Sequence, residues 1–294
     1  MGDDLIYYNE EVKALCNLAW LVLLSAGQAG ASWCVSGLFP ETFHLDKVAN
    51  ISQAYEVGGD PKEVEKEMET YVSGLLRTVS EETVSDLFGN SSSQGTYSYT
   101  KDGTLANVDY VEHTLRGVRT WRRTYDYDSQ GRLIRVSRNQ GPGTPSVIQA
   151  TCTYGPSKIF EKEGGVSYPR SYEYTLGSDG KVINYSMIVQ GSDVEENTII
   201  TYRNGKPIRR EDRRKDSSDP LQVTVTDYND IGLAIKVVVT EYGQNMKIHS
   251  QDTQSYEYLL DSTGNWIQKR RYNYENGVKI LKLTINRVIV YKNL

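Results

Sequence analysis

Three histidines, His44, His113 and His249, are the side chains whose charge would change near neutral pH, and they are scattered along the chain. None has cysteine or acidic neighbours at metal-ligand spacing, and the cysteines form no Cys-x-x-Cys pair, so no zinc site is expected. Two carboxylate pairs, Asp126/Asp128 and Glu195/Glu196, have the residue types of a glycosidase acid–base pair. Asp126 and Asp128, however, lead into a hairpin tip, where Asp bonds its own backbone. No nucleophile elbow, phosphate loop or dinucleotide fingerprint occurs. The chain therefore reads as non-enzymatic and without a cofactor. What remains is recognition chemistry. Trp, Tyr and Arg offer large contact area with polar tips. Trp121, Arg122, Arg123, Arg270 and Tyr272 are accordingly expected on a solvent-facing sheet surface, with an envelope protein or a glycan as partner.

The elements that must carry these residues are set by a recurring Tyr-to-Gly pattern. It runs from Tyr99 through Gly103 to Leu105, from Tyr127 through Gly131 to Leu133, and from Tyr174 through Gly180 to Val182. It returns from Tyr202 through Gly205 to Ile208, from Tyr228 through Gly232 to Leu233, and from Tyr258 through Gly264 to Trp266. A last short copy runs from Tyr274 through Gly277 to Val278. Spacings of 28, 25 and 27 residues separate Gly103 from Gly131, Gly180 from Gly205, and Gly205 from Gly232. That period fits one hairpin with its return strand per repeat. Asp102-Gly103, Asp179-Gly180, Asn204-Gly205 and Asn276-Gly277 are dipeptides suited to type I′ turns. The stretch from Leu281 to Tyr291 alternates apolar and polar residues as a strand does, and so do Val182–Val189 and Val223–Tyr228. The expected fold is mainly β, an antiparallel meander of Tyr-rich hairpins forming a long curved sheet. Tyr127, Tyr174, Tyr202, Tyr228 and Tyr258 should occupy equivalent hairpin positions as one ladder.

The N-terminal third reads differently. Ala14 to Ala26 is an apolar run too short to span a bilayer comfortably, and Ala29 to Ala31 matches the pattern a signal peptidase reads. Residues 1–31 are thus expected to be a signal-peptide region. Asp3, Asp4, Glu10 and Glu11 spoil its start, so Val12, followed by Lys13, is the expected first residue. The bulky Trp33 before Cys34 argues against a lipoprotein. Cys34 and Cys152 remain in the mature chain, where an oxidising compartment permits them to pair, and the residues leave that pairing open. Residues 32–95 are expected to form a short helical collar and linker. Asp60-Pro61 with Glu63 has the form of a helix start, and Val64, Met68, Val72 and Leu75 recur at helical spacing. Helices are expected over 61–78 and 81–88, with a flexible joint at 90–95 and the repeat domain over 96–294.

Composition narrows the partners. A net charge of −5 gives no basic footprint for nucleic acid. The run from Arg209 to Lys215 is interrupted by Glu211 and Asp212 and reads as a solvated strand end. There are 22 Tyr against 4 Phe, so aromatic packing is done by rings with a wet tip.

At its hairpins the chain resembles the YD-repeat, or Rhs-type, family. The match is carried by Tyr125-Asp126-Tyr127-Asp128, Gly131-Arg132-Leu133 and Ile134, while other copies keep Tyr and replace the Asp, as at Tyr174-Thr175 and Tyr202-Arg203. The tail from Tyr256 to Trp266, ending in Val288 to Tyr291, is similar to repeat proteins exported by Bacteroidota. The resemblance implies a curved sheet used as a scaffold or surface module, and supplies no catalytic residues. The expected function is a non-enzymatic exported scaffold or binding module of the cell envelope, in the periplasm or at the cell surface. Two other classes stand beside it, a glycan-acting envelope enzyme and an outer-membrane β-barrel. The segments from Trp121 to Tyr127 and from Ile208 to Arg214 place charges on both strand faces, which is costly in hydrocarbon. No transmembrane span is therefore expected in the mature chain.

Overall fold

The computed structural model describes Cys34 and residues 48–57, 63–72, 75–85, 90–115, 117–141, 143–165, 169–190, 195–214 and 217–291. Among the described residues eighteen strands follow one another in chain order. The first nine are β1 (Val48–Val57), β2 (Glu63–Val72), β3 (Leu75–Ser85), β4 (Ser91–Tyr99), β5 (Leu105–Thr114), β6 (Gly117–Tyr127), β7 (Leu133–Asn139), β8 (Val147–Tyr154) and β9 (Lys158–Glu163). The second nine are β10 (Arg170–Leu176), β11 (Val182–Val189), β12 (Glu195–Arg203), β13 (Lys206–Arg214), β14 (Pro220–Tyr228), β15 (Ala234–Tyr242), β16 (Ile248–Leu260), β17 (Trp266–Glu275) and β18 (Val278–Tyr291). Each strand pairs antiparallel with the next. The first also pairs with the last, Ile51 aligned with Ile289 and Ser52 with Val288. The sheet closes into a barrel, not the open curved sheet expected from the repeat. Closure leaves none of the described strands with an unpaired edge.

The helices expected over 61–78 and 81–88 are strands β2 and β3, and the joint expected at 90–95 runs into β4. The reason is a shared spacing. Residues four apart on a helix face are also an even number apart on a strand. In β2, Lys66 and Met68 are exposed while Glu67 and Glu69 are buried, the alternation of a strand with one face turned inward. The signal-peptide region at 1–31 and the expected start at Val12 lie outside the described residues.

Register carries this alternation around the ring. Glu69 aligns with Ile51 and with Val79, Tyr97 with Val108, Val108 with Arg123, and Tyr174 with Ile159 and Tyr185. Most buried side chains lie on this one inner face. They gather in three clusters: Val108, Tyr125, Val136 and Ala150; Ile159, Tyr174, Val182 and Ile200; and Trp266 with Ile285. Cys34 is bonded to Cys152 of β8 across 118 residues, packs against the second cluster, and donates its backbone N–H to the Glu161 carboxylate at 3.2 Å.

Six of the seven Tyr-to-Gly repeats sit together at one rim, where even-numbered strands end and odd-numbered strands begin. Five tips, starting at Thr100, Asp128, Gly177, Asn229 and Asp261, share one hydrogen-bond pattern. In the second, Asp128 N–H donates to the Arg132 carbonyl at 2.9 Å and Gly131 N–H donates back to Asp128 at 3.0 Å. Only its glycine takes a left-handed φ, +77° at Gly131, which makes a type I turn followed by a bulge. The type I′ turns expected at Asp102-Gly103 and Asp179-Gly180 are of this kind, because a longer loop needs only one left-handed residue. At Asn204-Gly205 and Asn276-Gly277 both residues have positive φ, 50° and 77°, and 51° and 78°. Those two are type I′. Gly277 caps the opposite rim, between β17 and β18.

Candidate functional site on the inner face of the barrel

A cluster of aromatic rings and guanidiniums lies on the inner face of β4 to β8. Tyr110 of β5 aligns with Gly95 of β4 on one side and with Trp121 of β6 on the other. A Cβ at Gly95 would sit 3.1 Å from the Tyr110 ring, so the glycine lets that ring lie across its strand. Tyr110 stacks on Trp121 with ring centroids 3.7 Å apart and planes 20° apart. Two guanidiniums converge on this pair. Arg123 lies 4.8 Å from the Trp121 centroid and 5.4 Å from that of Tyr110, and Arg138 of β7 lies 4.5 Å from Trp121. These are cation–π distances. Arg123 Nε donates to Gln149 Oε1 at 3.0 Å, whereas Arg138 Nε is buried with no hydrogen-bond partner among the described residues.

Elsewhere the inner face carries both signs of charge. Glu67 and Glu69 of β2 are buried, as is Arg287 of β18, whose guanidinium lies 3.4 Å from the Trp266 ring centroid. Arg210 Nε donates to Asp212 at 2.9 Å, and the Thr198 hydroxyl donates to the same carboxylate at 2.6 Å.

The outer face is laced with ion pairs. Arg122 forks onto Asp109 at 2.6 and 2.9 Å, Arg135 meets Asp126 at 2.7 Å, and Lys158 meets Glu173. Glu211 holds Arg209 at 2.6 Å and Arg213 at 2.5 Å, and Glu257 holds Lys279 at 2.5 Å. Between them stand exposed apolar side chains, including Met68, Ile148, Phe160, Ile188, Val288 and Val290.

The five residues expected to share a binding surface are divided by strand alternation. Trp121 and Arg123 meet on the inner face. Arg122, between them, points outward to Asp109. Arg270 is outward on β17, aligned with Glu257, and the Tyr272 hydroxyl donates to Glu257 at 2.8 Å. Tyr110, Gly95, Arg138 and Gln149 complete the inner cluster. Only strand pairing brings them together, and Gly95 had read as part of a joint.

The carboxylate pairs do not converge either. Asp126 is the outward partner of Arg135, and Asp128 holds its own turn, accepting the backbone N–H groups of Gln130 and Arg132 at 2.9 Å each. Those bonds, led by the Arg132 N–H and its guanidinium, keep the Asp128 carboxyl below the usual carboxylate range. Asp179 is lowered in the same way by Lys181. At Asp261 burial works the other way, but bonds from Tyr291, Thr263 and Asn265 outweigh it and the carboxyl is lowered. His113 and His249 are exposed, His44 lies outside the described residues, and among the described residues no cluster is placed to hold a metal.

The expectation of no transmembrane span is corrected by the closed ring. Among the described residues no helix is long and apolar enough to cross a membrane. A closed barrel is nevertheless one of the two architectures that satisfy every backbone group in a bilayer, and it crosses with strands. The charges that argued against it fall partly on the inner face, as at Arg123, Arg210 and Asp212, which lipid would not touch.

Similar solved structures are distant. A porin-like protein from Bacteroides uniformis ATCC 8492 aligns over 83% of this chain and 96% of its own, at 13% identity and a TM-score of 0.40. The TcdB2-TccC3-Cdc42 complex aligns over 75% of this chain and 18% of its own, at 10% identity and a TM-score of 0.22. No protein-family profile and no curated protein matches, so the YD-repeat resemblance gains no support from them.

Proposed function

We propose that this protein is a porin-type β-barrel of the outer envelope whose charged inner face is its working surface, passing or holding small hydrophilic solutes. The observation that carries this reading is the β1–β18 seam, which closes eighteen strands around a face bearing Arg123, Arg138, Glu67, Glu69 and Arg287. Barrels of sixteen to eighteen strands leave room for an aqueous interior. Several strands have the length needed to cross hydrocarbon, with 10 residues in β5, 11 in β6 and 10 in β17. The role is non-enzymatic. The outer ion pairs are the demand the reading must meet, because an Arg or Lys facing lipid at the bilayer midplane costs about 2–4 kcal/mol. Pairing a cation with a carboxylate, as in Arg122–Asp109, keeps that site neutral as a unit, whereas Glu211 is shared by Arg209 and Arg213.

Fractionation of the native host and planar-bilayer recording test it. The protein should stay with outer membranes through a carbonate wash, and the purified protein should give stepwise conductance. Recovery in the soluble periplasmic fraction, or silent bilayers, would overturn the reading.

A further inference from the structure

We infer that the inner face at Trp121 holds an oxyanion site, formed by Arg138 and Arg123 and taking a small solute that carries a carboxylate or phosphate. The inference rests on the proposed reading only in needing an inner face that water reaches. Three observations converge on it. First, two guanidiniums are drawn to one indole, at 4.5 and 4.8 Å from its centroid, so two like charges share a small area. Such a pair is held against its repulsion by the ring faces and by any anion that bridges it. Second, Arg138 Nε is buried without an acceptor among the described residues, although a buried N–H normally finds one. Third, one of the two guanidiniums is positioned by a neutral group, since Arg123 Nε donates to the amide of Gln149, and Glu112 is an acid within electrostatic reach of Arg138. On the outer face Arg122, Arg135 and Arg209 each have a carboxylate within 2.7 Å.

The local construction also suits recognition. Gly95 and Trp121 fix Tyr110 between them, so the aromatic floor is rigid before a ligand arrives. A rigid floor beneath two forked donors suits a planar carboxylate on a sugar acid as well as a phosphate. The two sources are separated by the probes.

Titration calorimetry of the purified full chain, with glucuronate and separately with inorganic phosphate, tests the site, using glucose as the uncharged control. One or both anions should bind and glucose should not. Arg138→Met should weaken binding at least about tenfold, and Arg123→Met likewise, while Arg122→Met on the outer face should leave it unchanged. Arg138→Lys should recover part of the affinity, which a merely structural loss would not allow. Circular dichroism identifies a variant that fails to fold, and anion-induced change in Trp fluorescence in the parent, absent in Trp121→Phe, places the ligand independently. No binding of either anion by the parent, or equal loss in Arg122→Met, overturns the site. Conductance without anion binding would sink the site and leave the barrel reading standing, and binding without conductance would do the reverse.

Discussion

The hydroxyl of Tyr154 donates to the backbone carbonyl of Leu133, 2.8 Å away and 21 residues back in the chain. Tyr228 does the same to Pro207 at 3.0 Å, and Tyr258 to Ala234 at 3.0 Å. A cation from the preceding tip lies over the ring in two of the three, Arg132 at 4.6 Å from Tyr154 and Lys206 at 5.4 Å from Tyr228. Each rim tyrosine thus ties its hairpin to the one before. Removing one hydroxyl, as in Tyr228→Phe, should cost about 0.5–1.5 kcal/mol and leave the fold intact. Chemical or thermal denaturation of the parent and variant measures it, and an unchanged midpoint would show that the bond contributes nothing.

At Asn204-Gly205 two successive residues take left-handed φ, and open space surrounds the Gly205 Cβ position. Gly205→Val meets no clash, so its penalty is conformational, about 1–2 kcal/mol. A melting experiment should show that loss. Gly205→Asn should be milder, since Asn tolerates the same region.

Asp128 carries a pH signature. Its folded carboxyl lies below the unfolded value, so the stabilisation is fully present above about pH 3.9 and is lost as pH falls through the folded value. Asp128→Asn keeps an acceptor for the Arg132 N–H, as Asn229 does for Leu233 at 2.8 Å, but removes the charge. Parent and variant melts should therefore differ near neutral pH and converge in acid. A constant gap between them from pH 6 to pH 2.5 would exclude the carboxylate as the cause.

Gly95→Val should drive Tyr110 off its seat and break its stack with Trp121. Near-ultraviolet circular dichroism and Trp fluorescence should both change, with far-ultraviolet signal preserved. If the spectra match those of the parent, the close approach at Gly95 does not set the ring.

Reduction of Cys34–Cys152 should lower the thermal midpoint by an amount equivalent to about 2–5 kcal/mol, because the bond closes a long loop in the unfolded chain. The Cys34→Ser variant should melt like the reduced parent, and insensitivity to reductant in the parent would contradict a formed bridge.

The β architecture from residue 96 onward was legible because its turn chemistry is local: Asp, Asn and Gly announce a tip wherever they sit at the right spacing. Closure was not legible. It depends on the alignment of Ile51 with Ile289, and no single segment records a pairing of that range. β2 was misread for a related reason. Its buried face is Glu67 and Glu69, and carboxylates are not the residue types that mark a buried face. The site was half visible. Trp121 and Arg123 were singled out by type, but the same criterion selected Arg122, which alternation turns outward. Arg138 and Tyr110 gave no signal of their own, because their significance is a register shared among strands.

The seam also governs when this molecule can come into being. Seventeen of the eighteen strand pairings join neighbours in sequence and can form as soon as the second partner leaves the ribosome or the translocation channel. The eighteenth joins residues near 50 to residues near 290 and waits for the chain between them. Until then both β1 and the growing last strand present open hydrogen-bonding edges, the surfaces on which chains join one another. A truncation just before β18 should accordingly yield not a slightly smaller barrel but a sticky, polymerising sheet.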